Sequence, residues 1–487
     1  MKKYCAFTIV LLFLLTLTPG YAIAAEAVSS SETERSMTFT SPSDEMPTLT
    51  PDEIAKLYLE YTVKKGDSLF SISKQFSIKW RDIAELNGIR GPKYIIRIGQ
   101  TLKIPQLPNL PGTTGNYLIL CETETQKQSL AEFKTYKMLR GYTVTVKSVE
   151  SDVKPKAGTD TSEAIRQYLK KMDQEMSLEY VLLVGSPFNS DTCCPQHTGG
   201  FIPMRYLYYN PDNHKTKYNY DWYSGELAFN TPSDVYYAFD FDWDYDKDGF
   251  PGEIDEQAES VKKAKPRLLF MLGRIPFSNV NDIKTVLSST MQYEINRKNH
   301  SDALISSYGI WAYYGDALAK SFHNVKIEAT TIFGNSYTEP SAYESTYPLS
   351  PDIFDHEVNK KYDFVYAFGD IARYSDNPFS GKDAKAGICF LDNTATMEVE
   401  PEPNSSRITA QDLLRNGSAC AVIATTREVG FNPENPAPRM ASMLFSNKTY
   451  SIAGEFYDAI QSSIINGSVV EAYINCYLGD PSIALKP

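Results

Sequence analysis

The sequence predicts an α/β protein: a small βααβ module followed by two adjacent doubly wound α/β subdomains. Three observations carry this expectation. Short apolar runs alternate with amphipathic segments from residue 117 onward, as in a parallel sheet covered by helices on both faces. A second series of such runs begins after about residue 300. Residues 61–105 set apolar side chains at helical spacing between two short strand patterns.

The chain opens with Lys2 and Lys3, an apolar run "FTIVLLFLLTL" and the small-residue stretch "YAIAAEA". That order predicts a cleaved signal peptide over 1–25 and an exported protein. The run is short for a membrane span, and no later segment is apolar enough to make one. Residues 26–58 are rich in Ser, Thr, Glu and Pro, a composition that predicts a disordered linker. The formal charge of −12 argues against nucleic-acid partners, which need a basic face.

The first module is assigned to 59–106. Tyr61 to Val63 begins it as a strand, and Asp67 is placed to cap the helix carrying Leu69, Ile72 and Phe76. Trp80, Ile83 and Leu86 mark a second helix closed by Gly88, and "QTLKIP" is the closing strand. A proline-stiffened linker follows over 107–116. The larger block then divides at about residue 295 into subdomains 117–295 and 296–487. Within the first, "YLILC", "YTVTV", "YVLLVG" and "LLFMLG" are the strand candidates. Between them lie an amphipathic helix through Leu130, Phe133, Tyr136 and Leu139, and another opened by Asp160 and Glu163 as a capping box. Within the second, the candidates are "YGIWAYYG", "YDFVYAFG", "AGICFL" and "ACAVIAT".

Of the seven cysteines, Cys5 lies in the signal segment and six remain. An even number permits disulfides in an exported protein. Cys121, Cys389 and Cys420 sit in apolar strand-like runs and are expected as buried thiols.

An acidic loop, "DWDYDKDGFPGEID", spans 242–255. Asp244, Asp246 and Asp248 alternate, Gly249 allows a sharp turn, and Asp255 holds the twelfth position of an EF-hand-like spacing. Calcium takes six to eight oxygens, and alternate carboxylates on a tight loop converge on one point. A structural calcium is expected. A solvated acidic turn is the alternative, and no helical pair flanks the loop as in an EF-hand fold.

The strand–helix–helix–strand unit, with "YTVKKGDSL", "NGI" and "GQTLKIP", resembles the LysM module. The resemblance implies binding to peptidoglycan or another N-acetylglucosamine glycan. Its groove would lie between a first loop of Gly66, Asp67, Ser68 and Leu69 and a second of Asn87, Gly88 and Ile89. A module kept only as a spacer is the alternative.

Several segments of 117–487 resemble, in order, the gingipain-type cysteine peptidases: "YLIL…LRGYTVTV", "LEYVLLVG", "PSDVYYAFDFDWDYDKDG", "LLFMLGRIP" and "YLGDPSIALKP". The resemblance implies a caspase-like α/β fold, structural calcium and a Cys–His dyad. In that chemistry a thiolate attacks the peptide carbonyl and a histidine protonates the leaving amine. The family places its histidine in a Gly-His-Gly turn after one strand and its cysteine at the end of the next. Here Ala367-Phe368-Gly369 matches the turn, so Phe368 takes the histidine's place. "AGICFLDNTA" matches the next strand, so Asp392 takes the nucleophile's place.

Cys389 is the remaining candidate for a displaced nucleophile, although strand alternation turns it toward the core. His323 and His356 are expected as surface histidines. Cys193, Cys194 and His197 fall short of four metal ligands. Asp370 and Asp392 could act as an acid–base pair, hold a cation, or compensate Arg373 or Arg427. The expectation is an exported protein, periplasmic, wall-associated or extracellular. Its second domain would be a pseudo-peptidase that binds peptides or proteins or acts as a scaffold. An active cysteine endopeptidase with a displaced dyad is the competing expectation, and an enzyme of another class using Asp370 and Asp392 is a third.

Overall fold

The computed structural model describes residues 51–76, 78–105, 115–156, 159–187, 202–208, 219–220, 227–228, 230–296, 300–309, 312–334, 343–368, 386–392, 409–426, 451–467 and 469–485. In the module, β1 (Tyr58–Thr62) and β2 (Thr101–Pro105) pair antiparallel, with Tyr61 opposite Leu102. The helices Leu69–Phe76 and Trp80–Leu86 lie between them in sequence. They close a small core of Val63, Leu69, Ile72, Ile83, Ala84, Leu102 and Ile104.

Two expectations change here. The helix Leu69–Phe76 is not capped by Asp67: Ser71 N donates to Ser68 Oγ at 3.0 Å, so Ser68 is the cap. Asp67 is occupied elsewhere, as described below. The predicted linker also ends early, because Pro51–Leu57 is a helix. Pro51 suits its first turn, Asp52 and Glu53 its N-terminal dipole and Lys56 its last turn. Seven residues with so few apolar positions gave too little periodicity to set against a polar composition.

The larger block is built on one eleven-stranded sheet. Its strands are β3 (Asn116–Cys121), β4 (Thr143–Ser148), β5 (Leu178–Val184), β6 (Met271–Ile275), β7 (Asp302–Tyr308), β8 (Glu328–Gly334), β9 (Tyr347–Pro348), β10 (Phe364–Phe368), β11 (Ala386–Asp392), β12 (Ala419–Thr425) and β13 (Asn475–Gly479). Their spatial order is β9-β8-β7-β10-β11-β12-β13-β6-β5-β3-β4. Neighbours pair parallel except β12 and β13, which are antiparallel. The two predicted strand series therefore meet edge to edge with opposite polarity. Each is doubly wound about a point where the strand order reverses: between β3 and β5 in the first, and between β7 and β10 in the second.

Both faces of the sheet are apolar, as strands buried on two sides require. On one face Leu118, Leu120, Val181 and Ile423 pack under the helices Thr161–Met176, Ala312–Asn324 and Ile452–Ile465. On the other, Tyr117, Ile119, Val365 and Val422 pack under Ala131–Leu139, Val280–Ile295 and Ala410–Arg415. The helix Thr161–Met176 is capped as predicted at one end of its box, Asp160 Oδ1 accepting from Glu163 N at 2.8 Å. Cys121, Cys389, Cys420 and Cys476 are buried, and Cys193 and Cys194 lie outside the described residues. No helix among the described residues is long and apolar enough to cross a membrane.

Candidate functional site

In open α/β sheets, ligands are held beyond the carboxyl ends of the strands where the order reverses. In the second block that point lies beside β10. Phe368 is the last residue of β10 and Asp392 the last of β11, and they are register partners across the parallel pair. The two positions that the sequence reading singled out thus stand side by side on the same rim. For both, the backbone alone is described. Asp370, Arg373, Arg427, His197 and the loops leaving β10 and β11 lie outside the described residues. Two groups that the sequence reading missed sit on the neighbouring strand: Ser306 and Ser307, near the end of β7, are buried, and their hydroxyls have no hydrogen-bond partner among the described residues. Short serines in a strand carry no signal that would have marked them.

Cys389 is three residues short of this rim. Its side chain is fully buried in the apolar layer that holds Val365, Leu391 and Val422, and burial pushes its thiol far above the ordinary range. Such burial disfavours the thiolate that a nucleophile needs. His323 and His356 are exposed on the helices Ala312–Asn324 and Pro351–Val358.

The first block carries a carboxylate at its own reversal point. Glu122 follows β3 and is buried between the ends of three strands. Its Oε1 accepts from Ser186 N beyond β5 at 2.8 Å and from Ser278 Oγ beyond β6 at 2.9 Å. Its Oε2 accepts from Gln126 Nε2 at 2.8 Å. Desolvation raises the Glu122 carboxyl above its ordinary range, and these three donors pull it back. Gly185 is required there, since a Cβ would fall 2.5 Å from Glu122 Cγ. Below it, Arg274 on β6 grips Asp234 with two bonds of 2.6 Å and donates to Ile202 O at 2.7 Å. The cluster is closed by its own bonds and clips strand ends together.

The acidic loop brings one oxygen each from Asp244, Asp246 and Asp248 within 4.8 Å of one another. Gly249 and Gly252 take φ of +94° and +102°, which favours glycine at both turns. Asp248 N donates to Asp246 Oδ1 at 3.0 Å and Phe250 N to Asp248 Oδ1 at 2.8 Å, which folds the carboxylates inward. Asp244 Oδ1 is buried with no hydrogen-bond partner among the described residues. Asp255 is the second residue of the helix Ile254–Lys263, and its side chain is outside the described residues. These oxygens suit a hard cation. Lys247 is the resident competitor, bonded to Asp242 Oδ1 at 2.7 Å and to the Asp244 carbonyl.

The module's loops divide by role. Asp67 accepts from Tyr61 Oη at 2.8 Å and Lys64 N at 2.7 Å, and the Lys64 amide leads in holding its carboxyl below the ordinary range. Asn87 donates to Ile83 O and Lys103 O and accepts from Lys103 N at 2.7 Å, riveting its helix to β2. Leu69 is buried in the module core. Gly66, Ser68 and Gly88 are exposed and Ile89 half-buried, so these four keep surface for a ligand.

Two family models match the chain. The model of peptidase family C25 matches residues 110–369, and that of the LysM domain matches 61–105. The murein hydrolase activators NlpD of Salmonella dublin and of Escherichia coli (strain K12) are each 39% identical over 66 residues, 14% of this chain and 17% of theirs. The uncharacterized lipoprotein YgeR of Escherichia coli (strain K12) is 48% identical over 44 residues, 9% of this chain and 17% of its own. The chain thus spans only 17% of the length of these curated relatives. A solved chain described as "Structure of Protease" shares 12% identity at a TM-score of 0.46, over 77% of this chain and 79% of that one.

Proposed function

Because the chain belongs to peptidase family C25 and carries a LysM domain ahead of that region, we propose that it is an exported, peptidoglycan-associated member that has lost its peptidase dyad. The observation that carries the loss is the pairing of Phe368 with Asp392 at the ends of β10 and β11. A phenyl ring moves no proton, and a carboxylate at the nucleophile's position lacks the thiolate's reactivity. The burial of Cys389 supports the same reading, since it removes the nearest substitute. What remains is a sheet rim suited to holding a peptide or a protein segment, with the domain serving as a binding or scaffold unit. The two NlpD relatives are named for activating murein hydrolases, which fits a place in the cell envelope.

The same proposal includes a structural calcium held by Asp244, Asp246 and Asp248, with Asp255 as a fourth donor. The ion would offset the repulsion among three converging carboxylates and satisfy the buried Asp244 Oδ1.

Labelled peptides incubated with the protein, reductant and calcium are expected to stay intact. Cleavage that a thiol-directed inhibitor abolishes would overturn the pseudo-peptidase reading. Purified peptidoglycan should retain the full chain and release a version that begins at Asn116. Equal retention of both would remove the glycan-binding role.

A further inference from the structure

We infer that the LysM domain is docked on the peptidase-family domain as part of one rigid body, rather than swinging on its linkers as an independent anchor. Polar, proline-bearing segments flank it in the sequence, and relative motion is the default for domains joined that way. Two separated contacts oppose that default.

The first is the helix Pro51–Leu57 ahead of the module. It lies against Val280–Ile295 of the large domain. Lys56 Nζ donates to Asn296 Oδ1 at 2.9 Å, and Asn296 Nδ2 donates to Glu53 Oε1 at 2.7 Å. Leu57 is 5% exposed and belongs to the large domain's apolar cluster, with Phe133, Leu287 and Met291, not to the module's own core. The second contact is the helix Trp80–Leu86 within the module. Glu85 accepts from Lys134 Nζ of Ala131–Leu139 at 2.8 Å, and Leu86 packs on the same large-domain cluster, as does Tyr58.

One attachment just ahead of the small module and one within it fix its orientation as well as its position. The half-exposed Lys134–Glu85 pair adds little by itself. The apolar plug supplies most of the hold, and undocking would return Leu57 to water. The constraint reaches the second ligand loop directly. Asn87 follows the docked Leu86 and is pinned by its bonds to Ile83 and Lys103. Resting on the glycan-binding reading above, a glycan held by this loop would fix how the large sheet faces the wall. The docking itself does not depend on that reading.

Amide relaxation of the isotope-labelled full chain tests the docking without any glycan. Module amides are expected to relax at the slow-tumbling rate of the whole molecule. In Leu57→Asp their transverse rates should fall severalfold while the module keeps its own fold, since Leu57 is no part of its core. Lys134→Glu should loosen the module in part, and adding Glu85→Lys should restore it. Module amides that already relax as a small independent unit in the parent chain would overturn the inference. So would a folded Leu57→Asp chain whose module still tumbles with the whole.

Discussion

Lys137 is fully buried, where water cannot reach it. Its ammonium lies 2.9 Å from Glu294 and 2.5 Å from Asp480, donates to Ser482 Oγ at 2.9 Å, and is ringed by Phe133, Tyr136 and Tyr142. Arg140 adds a second cation near Glu294, so the charges in the cluster cancel. Removing one member strands the others in a dry interior. Lys137→Met is therefore expected to cost about 3–5 kcal/mol in urea unfolding; a loss below about 1 kcal/mol would mean that water or repacking absorbs the charge. Helical periodicity picked out Leu130, Phe133 and Tyr136 as inward, but it treats a lysine as solvated, and Glu294 and Asp480 are far away in sequence. Glu122 yields a pH test. Its folded pKa is raised, so the folded state holds the proton more tightly than the unfolded chain. Its contribution is fully present below the ordinary carboxylate range and is lost as pH rises through the folded value. Glu122→Gln has no such loss, so melting curves across mildly acidic to neutral pH should show the variant's deficit shrinking as pH rises. A constant deficit would place the titration elsewhere. Cys389 should resist alkylation in the folded protein and react once denatured, as mass mapping would show; rapid labelling of the native chain would reopen it as a nucleophile.

At the scale of elements, the sequence was most legible where a pattern is local. The helix through Leu69, Ile72 and Phe76, the second helix closed by Gly88, and the strand ending at Pro105 all lie where spacing and turn residues put them. The ends of β10 and β11 were legible for a different reason: a motif marked them, and the register then set Phe368 against Asp392. The helix Pro51–Leu57 was not legible, because its stability comes from docking rather than from its own seven residues. Asp67 and Asn87, which the resemblance implies as ligand groups, also make bonds that hold the module together, and such tertiary bonds are not written in a motif. The acidic loop is the element with the clearest test. Three converging carboxylates repel unless something offsets them. Chelator should lower the melting temperature and calcium should restore it. Asp246→Asn should weaken that response, and Asp244→Asn should abolish it, since Asp244 carries the buried oxygen. An unchanged melting curve in chelator would leave Lys247 as the group that balances the loop.

At the scale of the whole molecule, alternating apolar runs and helices announced two α/β series, and both are present. They did not announce how the series join, because an apolar strand does not encode its neighbour or its direction. The joint is β13, the last strand among the described residues, which inserts antiparallel to β12 and parallel to β6. Everything that makes two blocks into one sheet passes through these few residues. The turn after β13 is locked as well: Asp480 takes the Tyr117 hydroxyl at 2.8 Å, Ser482 N at 2.9 Å and the Lys137 ammonium. Backbones at the joint approach so closely that glycine is obligatory. A Cβ on Gly273 would overlap the Gly479 carbonyl and stand 2.8 Å from Pro481 Cδ, and one on Gly479 would stand 2.6 Å from the Cys420 carbonyl. Overpacking a core usually costs ~1–3 kcal/mol because side chains can turn aside. Here the obstacle at Gly273 is main chain in the middle of a sheet, so the blocks themselves must separate. Gly273→Ala is therefore expected at or above the upper end of that range in chemical denaturation, with unfolding that begins at the joint. Hydrogen exchange would show it as early loss of protection in β13 and β6, while β7 and β8 stay protected. Uniform weakening across the sheet, or a cost below about 1 kcal/mol, would mean that the two blocks are held together by their covering helices instead of by this strand.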